Sequence, residues 1–249
     1  MRKHFTEGVI RHHECDAAGA MKLHCLLDRM QDAAAEHAAL LDVGMEDLAE
    51  MHLIWVLSRL RIRLLEPLKL GALLRVVTYP TGVERIFAHR CYEIILDGRR
   101  AGVAGSFWLP VNTVTRRPVN AKKVLPAEIL DAAGLEKFFP EMEKLPDCGG
   151  AEWEVRRVGA GDVDLNGHLN NAVYARWITD FLGDRLAVKA PRVREIQLNY
   201  LNAGQFGETV ILSGTTDGGG GFALSGRKED GTEVFQASGA AECFPEPSA

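Results

Sequence analysis

The sequence contains two copies of one motif, and this internal repeat constrains the fold more than any other feature. The first copy begins at Asp16 and the second at Asp164, an offset of 148 residues. In this alignment Gly19 matches Gly167, and the apolar residue two positions later is kept in both copies. A repeat of this kind indicates that one supersecondary unit occurs twice in the chain.

The two copies differ in their polar residues. Ala18 in the first copy is replaced by Asn166 in the second, and Ala20 is replaced by His168. The repeat therefore predicts one degenerate site and one site that keeps its chemistry.

The similarity between the halves continues beyond the motif. Residues 60–71 align with residues 196–207 at an offset of 136, with apolar residues at the same alternating places and a glycine at the same turn. Each half then has the size of a small domain, about 110 to 120 residues. We expect an N-terminal unit in residues 1–115, a linker in residues 116–150 and a C-terminal unit in residues 151–249.

Each unit has the same predicted order of elements: a strand, a turn, one long helix and an antiparallel meander. Apolar residues spaced by three and four predict a helix from Leu23 to Leu41, and a second helix is predicted from Asn171 to Leu182. Strands are predicted at residues 5–15, 55–65, 73–79, 86–96 and 100–111, and again at 153–158, 195–201, 209–214, 222–228 and 233–244. This order predicts an α+β protein, a double hot-dog in which each long helix is wrapped by a sheet and begins beside the other unit.

Composition limits the classes of function. A formal net charge of −5 argues against general nucleic-acid binding. The sequence has no apolar run long enough for a membrane span and no signal-peptide pattern at Met1, so we expect a cytoplasmic protein. The five cysteines are scattered, which predicts neither disulfides nor a zinc site. We expect no metal and no cofactor.

The candidate catalytic residues are Asp164, Asn166 and His168, which precede the second helix. In an extended segment, residues two apart share one face, so a carboxylate, an amide and an imidazole would together orient and activate a water. Free N–H groups at the helix N-terminus would polarise a carbonyl oxygen. Spacing alone equally allows Asp164 and Asn166 to be turn formers and His168 to be an ordinary loop histidine.

The pattern Asp-x-Asn-x-His-x-Asn-Asn-x-x-Tyr-x-x-Trp, from Asp164 to Trp177, resembles the signature of the acyl-acyl carrier protein (ACP) thioesterases of fatty acid biosynthesis. This family includes the plant FatA and FatB enzymes, and the resemblance covers nearly the whole chain. It implies a double hot-dog whose N-terminal unit selects the acyl chain. It also implies that Asp164, Asn166 and His168 are the catalytic residues, and that an acyl-ACP thioester is hydrolysed to free fatty acid.

One position departs from the family pattern. In the family a catalytic glutamate lies on the strand after the helix, three positions beyond a tyrosine, and in the plant enzymes a cysteine is next to it. Counting from Tyr200 leads to Ala203, so neither the glutamate nor the neighbouring cysteine is present. A cysteine nucleophile is therefore excluded at this place. The work of activating water would fall to Asp164 and His168, with Asn202 as a further candidate.

Two other functions stay open at this stage. One alternative is an acyl-CoA thioesterase, because the predicted site contacts the thioester and not its carrier. The other is a non-catalytic acyl-binding protein, because Ala203 stands where the family has a catalytic glutamate. Two fused units suffice for a monomer, and a homodimer is the alternative. Two groups of basic residues are candidates for binding the acidic carrier protein: Arg59, Arg61 and Arg63, and the group Arg116, Arg117, Lys122 and Lys123.

Overall fold

The computed structural model of the protein describes residues 3–130 and 134–242. The helices are α1 (Leu23–Ala39), α2 (Met45–Glu50), α3 (Ala127–Leu130) and α4 (Asn171–Leu186). The strands of the N-terminal unit are β1 (His4–Val9), β2 (Leu53–Leu64), β3 (Leu73–Glu84), β4 (Phe87–Leu96) and β5 (Arg99–Asn112). Those of the C-terminal unit are β6 (Ala151–Arg157), β7 (Arg192–Tyr200), β8 (Thr209–Thr216), β9 (Gly221–Lys228) and β10 (Glu233–Glu242).

The ten strands found in residues 3–130 and 134–242 form one antiparallel sheet with the order β1-β3-β4-β5-β2-β7-β10-β9-β8-β6. Each unit contributes five strands in the same internal order, and β2 pairs with β7 at the centre. Arg61 lies opposite Gln197, and these two residues are equivalent at the offset of 136 read from the sequence. A pseudo-twofold axis therefore passes between them, and the predicted α+β double hot-dog is confirmed.

The predicted first strand is too long. β1 ends at Val9, and residues His12–Glu14 form a short 3-10 helix. The cause is Glu14, whose carboxylate accepts hydrogen bonds from the Arg11 N–H and from the Arg29 guanidinium of α1. This buried ion pair turns the chain toward the helix, and alternation of side chains along the sequence does not reveal it.

One hydrophobic core serves both units. The buried face of α1 includes Leu26, Leu27 and Met30 and packs on the same core as Ile178 and Phe181 of α4. The two long helices also contact each other on the concave side of the sheet. Because the core is continuous across the central β2–β7 pair, we expect the units to fold together and not as separate domains.

Residues 134–150 cross the opposite, convex face of the sheet. The Gln197 side chain donates to the carbonyl of Glu143, and Arg59 donates to the carbonyl of Met142. Arg61 and Arg63 both bind Glu195 of β7, at 2.8 and 2.7 Å. These contacts occupy the arginines of β2, so this group holds the two units and the connecting segment together and is a poor candidate for a docking surface.

No helix in the described parts of the chain combines the length and the apolar character that crossing a membrane requires.

Candidate active site

The loop that carries the candidate residues is folded around the carboxylate of Asp164. Its Oδ1 atom accepts hydrogen bonds from the backbone N–H groups of Asn166, at 2.8 Å, and of His168, at 3.4 Å. The Asp164 N–H donates to the carbonyl of His168, and Gly167 adopts a φ of 75° in the turn. A positive φ favours glycine, which explains its place in the motif. The aspartate thus fixes the direction of the backbone at Asn166 and at His168.

The first copy of the motif has the same geometry. Oδ1 of Asp16 accepts from the N–H groups of Ala18 and Ala20, at 2.9 and 3.0 Å, and Gly19 has a φ of 73°. This loop has no amide or imidazole to present. The aspartate and the glycine therefore build the loop in both units, and only the loop of the second unit presents an amide and an imidazole.

The side chains of Asn166 and His168 form no hydrogen bond with any residue that the structure describes. Asn166 is exposed and His168 is partly buried. Both side chains are therefore available to a water or a substrate, while their backbone is held in place.

The N-terminus of α4 is more fully capped than the sequence suggests. The Asn170 side chain accepts from the N–H of Ala172 at 2.9 Å, and the N–H of Val173 donates to the Asn170 carbonyl. Of the first three N–H groups of the helix, only that of Asn171 has no partner among the described residues. A carbonyl oxygen at this end would therefore meet one free backbone donor.

The segment after β7 runs alongside the candidate loop. The Leu169 N–H donates to the carbonyl of Gly204 at 2.8 Å, and His168 pairs with Gln205 in an isolated antiparallel bridge. Ala203, one position before Gly204, is exposed. A side chain at Gly204 would approach Leu169 to 3.1 Å, so a cysteine at that position would fit only after a shift.

Asn202, the further candidate, has a structural contact. Its amide donates to the carbonyl of Glu233 at 2.7 Å and so ties the segment after β7 to the start of β10. This hydrogen bond uses one of the two N–H groups of the amide.

Two tyrosines hold the start of α4. The hydroxyl of Tyr200 donates to the carbonyl of Asn171 at 3.2 Å, and the rings of Tyr174 and Tyr200 pack edge to face. Burial raises the pKa of Tyr174 well above its usual value, and it raises the pKa of Tyr200 as well. Both hydroxyls are therefore protonated at neutral pH and do not act as bases, and that of Tyr200 is a hydrogen-bond donor.

The first unit also reaches this site. Gln31 of α1 lies between Asn170 and Asn171, accepting from the Asn171 amide at 3.2 Å. Asn171 belongs to the sequence motif, but the role of Gln31 has no signal in the sequence, since it depends on the packing of α1 against α4.

A cavity of about 10 Å³ lies between Asn171 and side chains of the first unit. Its walls come from α1, from three strands of the first unit and from the start of α4: Leu27, Met30, Gln31, Leu57, Leu60, Tyr92, Ser106, Trp108 and Asn171. The volume is about that of one water. An acyl chain would enter here only if flexible side chains such as Met30 moved aside.

Comparison with protein families shows two consecutive matches. The model of the acyl-ACP thioesterase N-terminal domain matches residues 2–129, and that of the C-terminal domain matches residues 149–238. The chloroplastic oleoyl-acyl carrier protein thioesterase 1 of Arabidopsis thaliana is 25% identical, over 91% of this chain and 68% of its own length. The oleoyl-acyl carrier protein thioesterase 2 of the same plant is 23% identical, over 77% of this chain and 57% of its own length.

Solved structures share the fold over its whole extent. An acyl-ACP thioesterase from Bacteroides thetaiotaomicron has a TM-score of 0.80 and 24% identity, covering 96% of this chain and 98% of its own. The 12:0-ACP thioesterase from Umbellularia californica has a TM-score of 0.76 and 18% identity, covering 96% and 97%. At these identities the structural similarity shows the fold alone.

Proposed function

This chain belongs to the acyl-ACP thioesterase family and hydrolyses acyl-ACP thioesters, and we propose that Asn166 and His168 do the chemistry on a loop built by Asp164. The observation that carries this assignment is the contrast between the two motif copies. Both loops have the same backbone hydrogen bonds around an aspartate, but the first presents only Ala18 and Ala20.

In the proposed mechanism His168 accepts a proton from a water, and the resulting hydroxide attacks the thioester carbonyl carbon. The Asn171 N–H and the Asn166 amide stabilise the negative oxygen of the tetrahedral intermediate. The C–S bond then breaks, His168 returns its proton to the thiolate of the carrier, and the fatty acid leaves. Each step uses groups of this chain and one water, with no cofactor.

Asp164 acts in this proposal through the loop. One of its carboxylate oxygens already binds the N–H groups of Asn166 and His168, and Asp16 makes the same bonds where no catalysis is proposed. We therefore assign Asp164 to positioning the two other residues.

The acyl chain is proposed to lie in the first unit. The cavity between α1 and the sheet is lined mainly by apolar side chains and has Asn171 at one end. A thioester bound at the start of α4 would thus place its tail beneath α1, so the first unit would select the length of the chain.

The experiment that tests the function measures the release of free thiol from matched acyl chains on ACP and on CoA. We expect turnover on ACP thioesters with a higher kcat/KM than on CoA thioesters. A preference for CoA would favour the acyl-CoA thioesterase, and the absence of sustained thiol release on either carrier would favour a non-catalytic acyl-binding protein.

The group Arg116, Arg117, Lys122 and Lys123 is the proposed docking surface for the acidic carrier protein. All four side chains are exposed and form no ion pair with the described residues. Arg116 and Arg117 follow the end of β5, where Asn112 pairs with Leu53 at the start of β2. Since β2 and β7 are antiparallel, this end of the sheet is also the end at which the segment 201–205 runs past the candidate loop.

Reversal of charge on this surface is expected to weaken the use of ACP. Changing Lys122 and Lys123 to Glu, together with Arg116 and Arg117, should raise KM for acyl-ACP by about tenfold, which corresponds to 1.4 kcal/mol. Added salt should raise KM of the unaltered enzyme, because exposed attraction is screened beyond about 8 Å at physiological ionic strength. Steady-state kinetics with acyl-ACP and with acyl-pantetheine, which lacks the carrier protein, measures both effects.

The matched control is Arg99→Glu, at the opposite end of β5. Arg99 is exposed and its contact with Glu66, at 3.7 Å, is at the protein surface. This variant should leave KM for acyl-ACP unchanged. If KM for acyl-ACP changed neither with salt nor on reversal of all four charges, this docking surface would be excluded.

Restoring the carboxylate of the family at Ala203 is expected to preserve or raise activity. Because Ala203 is exposed, Ala203→Glu adds a solvated carboxylate at little cost in stability. His168 pairs with Gln205, so residue 203 is a diagonal neighbour of His168 on the adjoining segment. Diagonal neighbours in antiparallel pairs are roughly 7–8 Å apart. Comparison of kcat for Ala203→Glu with that for Ala203→Gln separates the carboxylate from its size. A loss of activity in the glutamate variant alone would show that this site works without the family carboxylate and is harmed by it.

A further inference from the structure

A positively charged side chain lies in the first unit, close to the proposed acyl cavity. Arg90 of β4 extends to the concave side of the sheet, where its Nη1 atom donates to Nδ1 of His37 at 3.2 Å and to Oγ1 of Thr78 at 3.1 Å. Arginine can only donate, so His37 accepts through an unprotonated Nδ1 and is neutral. Both partners of Arg90 are therefore uncharged.

Arg90 has no counter-ion among the residues that the structure describes. Neither of its hydrogen-bond partners is a carboxylate, and no acidic side chain contributes to its electrostatic surroundings. Burial lowers the pKa of the guanidinium, which nevertheless stays charged. A buried charge without a counter-ion is costly unless a ligand or water completes it.

Part of Arg90 is accessible to solvent. His37 and Thr78 are 0% exposed, whereas Arg90 between them keeps accessible surface. Its Nε and Nη2 atoms form no hydrogen bond with the described residues. The crevice between α1 and the sheet therefore contains two N–H-bearing nitrogens with no acceptor among the described residues.

The position of Arg90 relates it to the acyl cavity. Ser106 of β5 lines that cavity and lies opposite Leu60 of β2 on one side and Arg90 of β4 on the other. Two strand spacings, about 10 Å, thus separate Arg90 from β2. The neighbouring hydroxyl of Ser106 accepts from the Trp108 indole at 2.8 Å and donates to the Tyr92 hydroxyl at 3.4 Å. The wall of the cavity becomes polar in the direction of Arg90.

From this geometry we propose that Arg90 binds an oxygen atom near the far end of the acyl chain, so that the enzyme takes ω-hydroxyacyl or ω-carboxyacyl thioesters. The proposal rests on the placement of the acyl tail beneath α1. A methyl end at this depth would displace water from Nε and Nη2 and leave both donors unpaired. A hydroxyl or carboxylate oxygen replaces that water.

The test compares ACP thioesters of graded length that end in a methyl, a hydroxyl or a carboxyl group. At the length that reaches Arg90, kcat/KM should be about tenfold or more higher for an oxygenated chain than for the unsubstituted chain, the size of a hydrogen bond to a charged group. Arg90→Met should remove this difference, and Arg90→Lys should retain part of it for the carboxyl-ended chain. Arg75→Met, which removes an exposed arginine of β3 that pairs with Glu7 outside the cavity, should leave it unchanged.

If the unaltered enzyme had a higher kcat/KM for the unsubstituted chain at every length, the proposal would be overturned regardless of the results with the variants. Binding of the corresponding free acids to the unaltered protein and to Arg90→Met, measured by calorimetry, is the second readout. It does not require turnover, so tighter binding of the oxygenated acid that depends on Arg90 supports the site even if no thioester is hydrolysed. Equal binding of the oxygenated and unsubstituted acids would count against it.

Discussion

Replacement of His168 by alanine is expected to lower kcat by about 10²–10⁴-fold, the usual contribution of a general base. Asn166→Ala should lower kcat by about a hundredfold or more, the effect of losing one donor to a developing oxyanion. Neither side chain has a hydrogen-bond partner in the described structure, so the melting temperature should change little. Thiol release in single-turnover and steady-state assays measures the loss, and a thermal melt of each variant confirms the fold.

The aspartates supply the controls. Asp164→Asn keeps an oxygen that accepts the loop N–H bonds but loses the charge, so kcat should stay within about tenfold if Asp164 only positions the loop. Asp16→Ala should cost about 1–2 kcal/mol of stability and leave chemistry intact, because its loop carries only Ala18 and Ala20. An Asp164→Asn variant as slow as His168→Ala would make that carboxylate part of the base. An active His168→Ala variant would disprove the assignment of the site.

The repeat allowed most of the fold to be predicted. Its two offsets aligned residues that the structure relates by pseudosymmetry, including Arg61 with Gln197 on the central strands. The helix starts at Leu23 and Asn171 were also predicted as the structure has them. Local sequence carries this information because apolar periodicity, glycine turns and helix starts are decided mainly by near neighbours.

Contacts between distant residues were not predictable in the same way. The arginines of β2 read as a basic stripe, but Glu195 of the other unit and the segment 134–150 occupy them. At the site, Asn170 and Asn171 could be read as polar residues of a helix start. The hydrogen bonds of both residues to Gln31 depend on how α1 packs against α4. The sequence likewise does not reveal that Arg90 has no carboxylate partner among the residues that the structure describes.

The signature that suggested the family combines two kinds of residue. Asn166 and His168 present free side chains, whereas Tyr174 and Trp177 are buried in the core. Trp177 is 2% exposed and packs against Tyr174 and Phe235, with ring centroids 5.7 and 6.3 Å away. Since Tyr174 also contacts Tyr200, this aromatic group holds α4 against the sheet. Substitutions of Asn166 or His168 should therefore lower activity, whereas substitutions of Tyr174 or Trp177 should lower stability.

Trp177→Ala is expected to destabilise the protein by about 3–5 kcal/mol, because it leaves a large cavity in a core shared by both units. For a chain of this size the melting temperature should fall by roughly 10 °C. Trp177→Phe, which keeps an aromatic ring in the same place, should cost less and keep kcat close to that of the unaltered enzyme. Denaturant unfolding and kcat, measured on both variants and on His168→Ala, separate the roles. A stable, inactive Trp177→Ala variant would mean that Trp177 serves the reaction, since loss of packing alone lowers stability before it lowers the chemistry of the molecules that remain folded.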